Sequence, residues 1–140
     1  MTQKEETLRL FNEIRTNTLM ETLNIEYSDV GEDFLVARMP VSSKVLQPDG
    51  ILHGGAALAL AESVGSPVSL LIIDRQKFSV RGLQISANHV RSVKSGFVTA
   101  TASFIHKGST THLVEIRIED DDGNLVSLCK LTNIILPKRK

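Results

Sequence analysis

Leu52-His53-Gly54-Gly55-Ala56-Ala57-Leu58-Ala59-Leu60-Ala61-Glu62-Ser63-Val64-Gly65-Ser66 is the stretch from which fold and chemistry are read in this chain of 140 residues. A His-Gly-Gly turn runs into a segment that is apolar except for one carboxylate and two small hydroxyls. At about 3.6 residues per helical turn, Gly55, Ala59, Glu62 and Ser66 share one face. Ala57, Leu60, Ala61, Val64 and Val68 line the opposite face, an apolar stripe that must pack on something. Fixing a carboxylate inside such a helix costs free energy unless it is paired or used. The glycines stand at the helix N-terminus, where backbone N–H groups lack partners within the helix. An oxyanion site and a carboxylate on adjoining turns are the parts that acyl-transfer chemistry needs. The plain alternative is a core helix whose one carboxylate is merely solvated.

Outward from this stretch, residues 4–21 read as an amphipathic N-terminal helix (1–21 with its leading residues), with Leu8, Phe11, Ile14 and Thr18 at helical spacing. Two short strands are expected over about 23–30 and 33–40, divided by the turn Gly31-Glu32-Asp33. A loop from Val41 to Leu52 holds Gln47, Pro48, Asp49 and Gly50. The central helix is expected over roughly 54–72, kinked after Ser66 because Pro67 lacks the N–H that would bond to Ser63. Four strands follow: Val80–Val93, Phe97–Ile105, Leu113–Glu119 and Leu125–Leu136, the last two joined by the hairpin turn Asp121-Asp122-Gly123-Asn124. The basic tail, 137–140, is expected to be mobile. Strands gathered around one long apolar helix predict a single α+β domain over 1–140, an antiparallel sheet wrapped around that helix.

Lys plus Arg equals Asp plus Glu, sixteen of each, so no general electrostatic argument favours nucleic acid or an anionic membrane as partner. Aromatic content is 4% with no Trp, which leaves no base-stacking platform. The single cysteine, Cys129, excludes an internal disulfide and reads as a buried apolar residue. No His, Asp or Glu grouping has metal-site spacing, and no Gly-x-Ser-x-Gly elbow is present. The N-terminus is charged, without an apolar signal core, and no apolar run reaches about 18 residues, so neither a membrane span nor export is expected and the expected compartment is the cytoplasm.

Taken together, Gln47, His53-Gly54-Gly55, Glu62 and Ser66 form the spaced pattern Gln-x5-His-Gly-Gly-x6-Glu-x3-Ser. With Ala87-Asn88-His89-Val90-Arg91, Lys94-Ser95-Gly96, His106-Lys107-Gly108 and Cys129-Lys130-Leu131-Thr132, the chain resembles the hotdog-fold acyl-CoA thioesterases over roughly residues 20–136. It is similar in particular to their PaaI-like branch, which includes 4-hydroxybenzoyl-CoA and 1,4-dihydroxy-2-naphthoyl-CoA thioesterases. The resemblance implies an acyl-CoA thioester hydrolase acting on an aromatic or short-to-medium acyl group. Glu62 would be nucleophile or general base, the Gly55 N–H the oxyanion donor, and Gln47 and His53 would orient thioester and water. Ser66 would be the small hydroxyl one turn on, and His89 would line the acyl pocket. Lys107, Gly108 and Ser109 fall where relatives hold the nucleotide, and Ser109 stands where many carry Arg. That substitution moves the expected phosphate grip to Arg91, Lys107 and the tail Lys138-Arg139-Lys140. Pro67, unusual in the family, borders the acyl pocket. No cofactor is implied, because coenzyme A is part of the substrate. A non-catalytic acyl-CoA sensor is the alternative, against which the presence of Glu62 argues; a dehydratase would want Asp and His where this chain has Glu and Gln.

Homodimers that pair into homotetramers are also implied. The spacing gives separate support: Gly55 and Glu62 lie seven residues apart, about 10.5 Å along one helix. One carbonyl would struggle to meet both, whereas two helices about a two-fold axis bring the N-terminus of one beside the middle of the other.

Overall fold

Segments that alternate branched or small apolar residues with polar ones, bounded by turns, set up six strands here. A computed structural model, which describes residues 1–139, gathers them into one sheet. They are β1 (Glu26–Val30), β2 (Phe34–Pro40), β3 (Phe78–His89), β4 (Phe97–Lys107), β5 (Thr111–Glu119) and β6 (Leu125–Pro137). The order across the sheet is β1-β2-β4-β5-β6-β3, every neighbouring pair antiparallel. Helices α1 (Gln3–Glu13) and α2 (Leu19–Thr22) precede the sheet, and α3 (Gly54–Gly65) lies across it in contact with β2, β3, β4, β5 and β6. This is the α+β arrangement expected.

The core follows from period-two burial. Val98, Ala100 and Ala102 of β4, Val114, Ile116 and Ile118 of β5, and Cys129 and Leu131 of β6 meet Ala57, Leu60, Ala61 and Val64 of α3. Burying each Leu, Ile or Val side chain contributes about 1.5–3 kcal/mol, so this stripe fixes which face α3 turns away. The approach is close: a Cβ on Gly65 would lie 3.0 Å from Ile116 Cδ1 and 3.2 Å from Leu131 Cδ1.

Several expectations are corrected. The N-terminal helix stops at Glu13, and Asn17 takes a left-handed φ of 61° before α2 begins. Only Phe11 of α1 is buried; Ile14 and Leu19 are exposed, so the amphipathic pattern outran the surface available to cover it. The central helix is α-helical only to Gly65, then tightens at the expected break into a 3-10 helix, Pro67–Leu71. By length and hydropathy Gly54–Leu71 qualifies to cross a bilayer, contrary to the run-length reading, but its apolar stripe is spent on the sheet. Strand β3 starts at Phe78 and ends at His89, and beyond it the chain leaves the sheet, with the Val93 carbonyl accepting the Leu52 N–H at 2.7 Å. The tail is not free at its start: Pro137 belongs to β6 and the Lys138 N–H donates to the Lys77 carbonyl at 2.8 Å. Lys140 lies outside the described residues.

Candidate active site

Two corners of α3 carry the expected residues. The first is its N-terminus. The loop before it is closed by an antiparallel bridge between Leu46 and Leu52 and by the His53 N–H donating to the Val45 carbonyl at 2.8 Å. His53 is thereby placed as the N-cap, and its Nδ1 accepts the Gly55 N–H at 2.7 Å. A Cβ on Gly54 would lie 2.9 Å from His89 Nε2, so this glycine lets the His89 ring rest on the start of the helix. On its other side His89 Nδ1 is 2.7 Å from the buried Ser127 hydroxyl. Gly54, Ala57, His89, Arg91 and Ser127 border a cleft of about 330 Å³.

The second corner is the Glu62–Ser66 turn. Both side chains lean over β3 at Gly82: a Cβ there would lie 2.9 Å from Glu62 Oε2 and 2.9 Å from Ser66 Oγ. Strand β3 is irregular at this point, its register with β6 shifting between Gly82 and Gln84, which turns Leu83 outward to 63% exposure. The carboxylate is therefore exposed, next to a hydroxyl, on a helix whose other face is core.

Beneath this corner lies a polar cluster that the motif reading missed. Asn133 Nδ2 donates to the Gly65 carbonyl (2.9 Å), the Ser66 carbonyl (3.4 Å) and Ser69 Oγ (2.8 Å). Ser69 Oγ also lies 2.8 Å from His112 Nδ1, a second buried hydrogen bond of the cluster. Burial holds the His112 pKa below its ordinary value, with the Gly108 backbone pulling the other way and His106 and Lys107 adding to the fall. Asn133 Oδ1 is buried without a partner among the described residues. A second support replaces what Pro67 removes: the Tyr27 hydroxyl donates to the Ser63 carbonyl at 2.5 Å. The signal for Asn133 and His112 was their inward parity in β6 and β5, beside Leu131 and Val114. Nothing local marked Tyr27.

The expected residues are thus brought together in part. Glu62 and Ser66 form one group; His53, Gly55 and His89, with Arg91 beside the cleft, form another at the far end of the helix. The Gly55 N–H, expected to meet an oxyanion, is bonded to the His53 ring. Gln47 turns back on its own loop, its side-chain oxygen accepting the Asp49 N–H. Lys107, Gly108 and Ser109 lie at the opposite end of the sheet from Arg91: Thr111 pairs with Ile134, whereas His89 pairs with Ser127. Lys107 Nζ is 3.4 Å from Asp33. Among the described residues, no group of His, Cys, Asp and Glu side chains gathers in a way that could hold a metal ion.

Comparison with known proteins agrees with this fold. Residues 49–127 match the family model of the Thioesterase superfamily. A 1,4-dihydroxy-2-naphthoyl-CoA hydrolase of Escherichia coli is 40% identical over 130 residues, 93% of this chain and 95% of that protein. The crystal structure of a variant thioesterase from Pseudomonas aeruginosa superposes with a TM-score of 0.91 at 40% identity, covering 94% of each chain. A thioesterase of Staphylococcus aureus has been solved as two variants, each 42% identical with a TM-score of 0.82, over 86% and 85% of this chain and 99% and 98% of theirs. One replaces a glutamate and the other a glutamine fifteen residues before it, the spacing of Glu62 and Gln47 here.

Proposed function

Because this chain belongs to the Thioesterase superfamily, we propose that it hydrolyses an acyl-CoA thioester, of an aromatic or short-to-medium acyl group, to the free acid and coenzyme A. The observation that carries the reading is the Glu62–Ser66 corner: an exposed carboxylate and a hydroxyl held over a strand that offers no side chain at Gly82. A thioester sends off a thiolate, a good leaving group, so the site needs an attacker and carbonyl polarisation more than a strong acid. Glu62 supplies the first, either by attacking the carbonyl or by taking a proton from the attacking water. The Gly55 N–H supplies the second once the carbonyl oxygen replaces the His53 ring as its acceptor. Freed of that bond, His53 Nδ1 is able to take a hydrogen bond from water. Arg91 and Lys107, with Arg139 of the tail, would meet coenzyme A phosphates. Neither a cofactor nor a metal enters the scheme.

In one chain these two groups sit at opposite ends of α3, and the edge strand offers the means of joining them. Strand β3 is twelve residues long, unpaired on one side and largely exposed, with Leu83 standing out. A bare edge of that length is a pairing surface. If β3 meets its copy antiparallel about an axis between Ile85 and Ser86, Gly82 comes opposite the partner's His89. The Glu62 corner then faces the partner's Gly54 and Gly55. The reading is therefore a homodimer with two shared sites, two dimers joining as a tetramer, in the cytoplasm.

Replacing Glu62 by Gln tests the chemistry. Because the carboxylate is exposed, the fold should survive, while kcat for thiol release across a panel of acyl-CoA esters should fall by roughly two to three orders of magnitude. A Glu62→Gln protein that keeps most of its activity overturns the mechanism.

A further inference from the structure

A second cleft, of about 360 Å³, opens on the other side of Ser66 from Glu62. Ser66 and Pro67 form one wall and Phe78 part of another, and Arg75, Arg81 and Lys138 line it as well. The three cations come from three separate segments: the turn before β3, β3 itself, and the residue after β6. No lining residue is acidic. Among the described residues none of the three cations makes an ion pair; Arg81 Nη1 donates only to its neighbour's carbonyl, that of Val80, at 2.9 Å. The nearest carboxylate in the turn, Asp74, is partnered by Lys77. The Lys138 backbone is anchored by its N–H bond to the Lys77 carbonyl, which places the residue at the rim of the cleft.

In a chain of zero net charge, three exposed cations without ion pairs around one partly apolar cleft favour an anion there. We propose that this cleft is an anion subsite that reads a carboxylate carried on the acyl group, so that the substrate class is a dicarboxylic or carboxyaryl acyl thioester. The inference rests on the thioesterase reading and narrows it. The position of the charge selects the source of the anion. The cations share a cleft with Ser66, one helical turn, about 6 Å, beyond Glu62. In a coenzyme A ester the long pantetheine arm sets the phosphates much further from the thioester carbonyl. A carboxylate at the distal end of a short acyl chain falls within that reach.

The test uses matched esters: glutaryl-CoA against valeryl-CoA, and carboxybenzoyl-CoA against benzoyl-CoA, each also made as the pantetheine thioester, which lacks the nucleotide phosphates. The parent should favour the carboxylated member of at least one pair by about tenfold in kcat/KM, as expected for exposed charge pairs acting together. Arg75→Gln and Arg81→Gln combined should abolish the preference while leaving kcat on the neutral ester unchanged, and in the parent the preference should persist on pantetheine esters. Equal rates within both pairs overturn the proposal. So does a double variant that loses activity equally on both members of a pair with coenzyme A esters but not with pantetheine esters, because the cations then hold phosphates. Calorimetric titration with free glutarate and valerate reads the subsite without turnover. Glutarate should bind the parent and Glu62→Gln proteins, with valerate and the double variant giving no signal; absence of glutarate binding overturns the subsite. Glutarate binding in a protein that cleaves no thioester would sink the hydrolase and leave the subsite standing.

Discussion

At the scale of the residue, a missing side chain matters as much as any present one. Gly82 leaves room for Glu62 Oε2 and Ser66 Oγ, both 2.9 Å from where a Cβ would stand. In Gly82→Ala the groups that must yield are the ends of two flexible side chains, so the fold should hold and the melting temperature should change little. The carboxylate, displaced by a fraction of an ångström to an ångström, should lose about ten- to a hundredfold in kcat with a smaller change in KM. Steady-state kinetics beside a thermal melt check this, and full activity would mean that the carboxylate is not held where the reaction needs it. That Glu62 and Ser66 share one face was legible in the sequence because helical spacing is a local rule. The role of Gly82 was not, because it depends on a strand approaching from sixteen or more residues away. The capture of the Gly55 N–H by His53 was also invisible: it is decided by one ring rotation.

At the scale of the element, α3 is a helix deliberately interrupted and then repaired. Pro67 deletes the donor that the Ser63 carbonyl would have used, and Tyr27, from β1, supplies a hydroxyl in its place. Burial pushes the Tyr27 phenol far above its ordinary pKa, so it stays a donor. Asn133 does the same for the Gly65 and Ser66 carbonyls. Tyr27→Phe leaves a part-buried carbonyl unpaired and should cost about 1–3 kcal/mol in denaturant unfolding. Pro67→Ala returns an N–H to the helix, so the same Tyr27→Phe change should cost less in that background. A double-mutant cycle gives the coupling, and strictly additive costs would separate the tyrosine from the proline. The break itself was readable from one proline. Its repair was not, since the donors come from strands 36 and 68 positions away in sequence. The N-terminal helix was overextended for the complementary reason: periodicity registers a pattern, not whether a partner surface exists to bury it.

At the scale of the whole molecule, the fold was legible almost entirely, because six alternating strands around one apolar helix admit few arrangements. The assembly was only implied, and the register proposed for the exposed β3 edge can be tested. The register makes a sharp expectation. Glu62→Ala and His53→Ala proteins, each nearly inactive, are unfolded and refolded together. Random pairing yields mixed dimers with one doubly damaged site and one intact site, so up to about a quarter of parental activity should return. Silence in proven mixed dimers would place each site within a single chain. The core of the single chain has a practical consequence at its centre. Cys129, in the middle of β6, is fully buried and its thiol is pushed up to about 11 by that burial. At neutral pH the folded protein therefore presents no thiolate of its own to a sulfhydryl reagent. A dye that counts released coenzyme A sees product alone. In protein left without substrate, the slow colour that develops becomes a stopwatch for how often the native sheet and helix come apart.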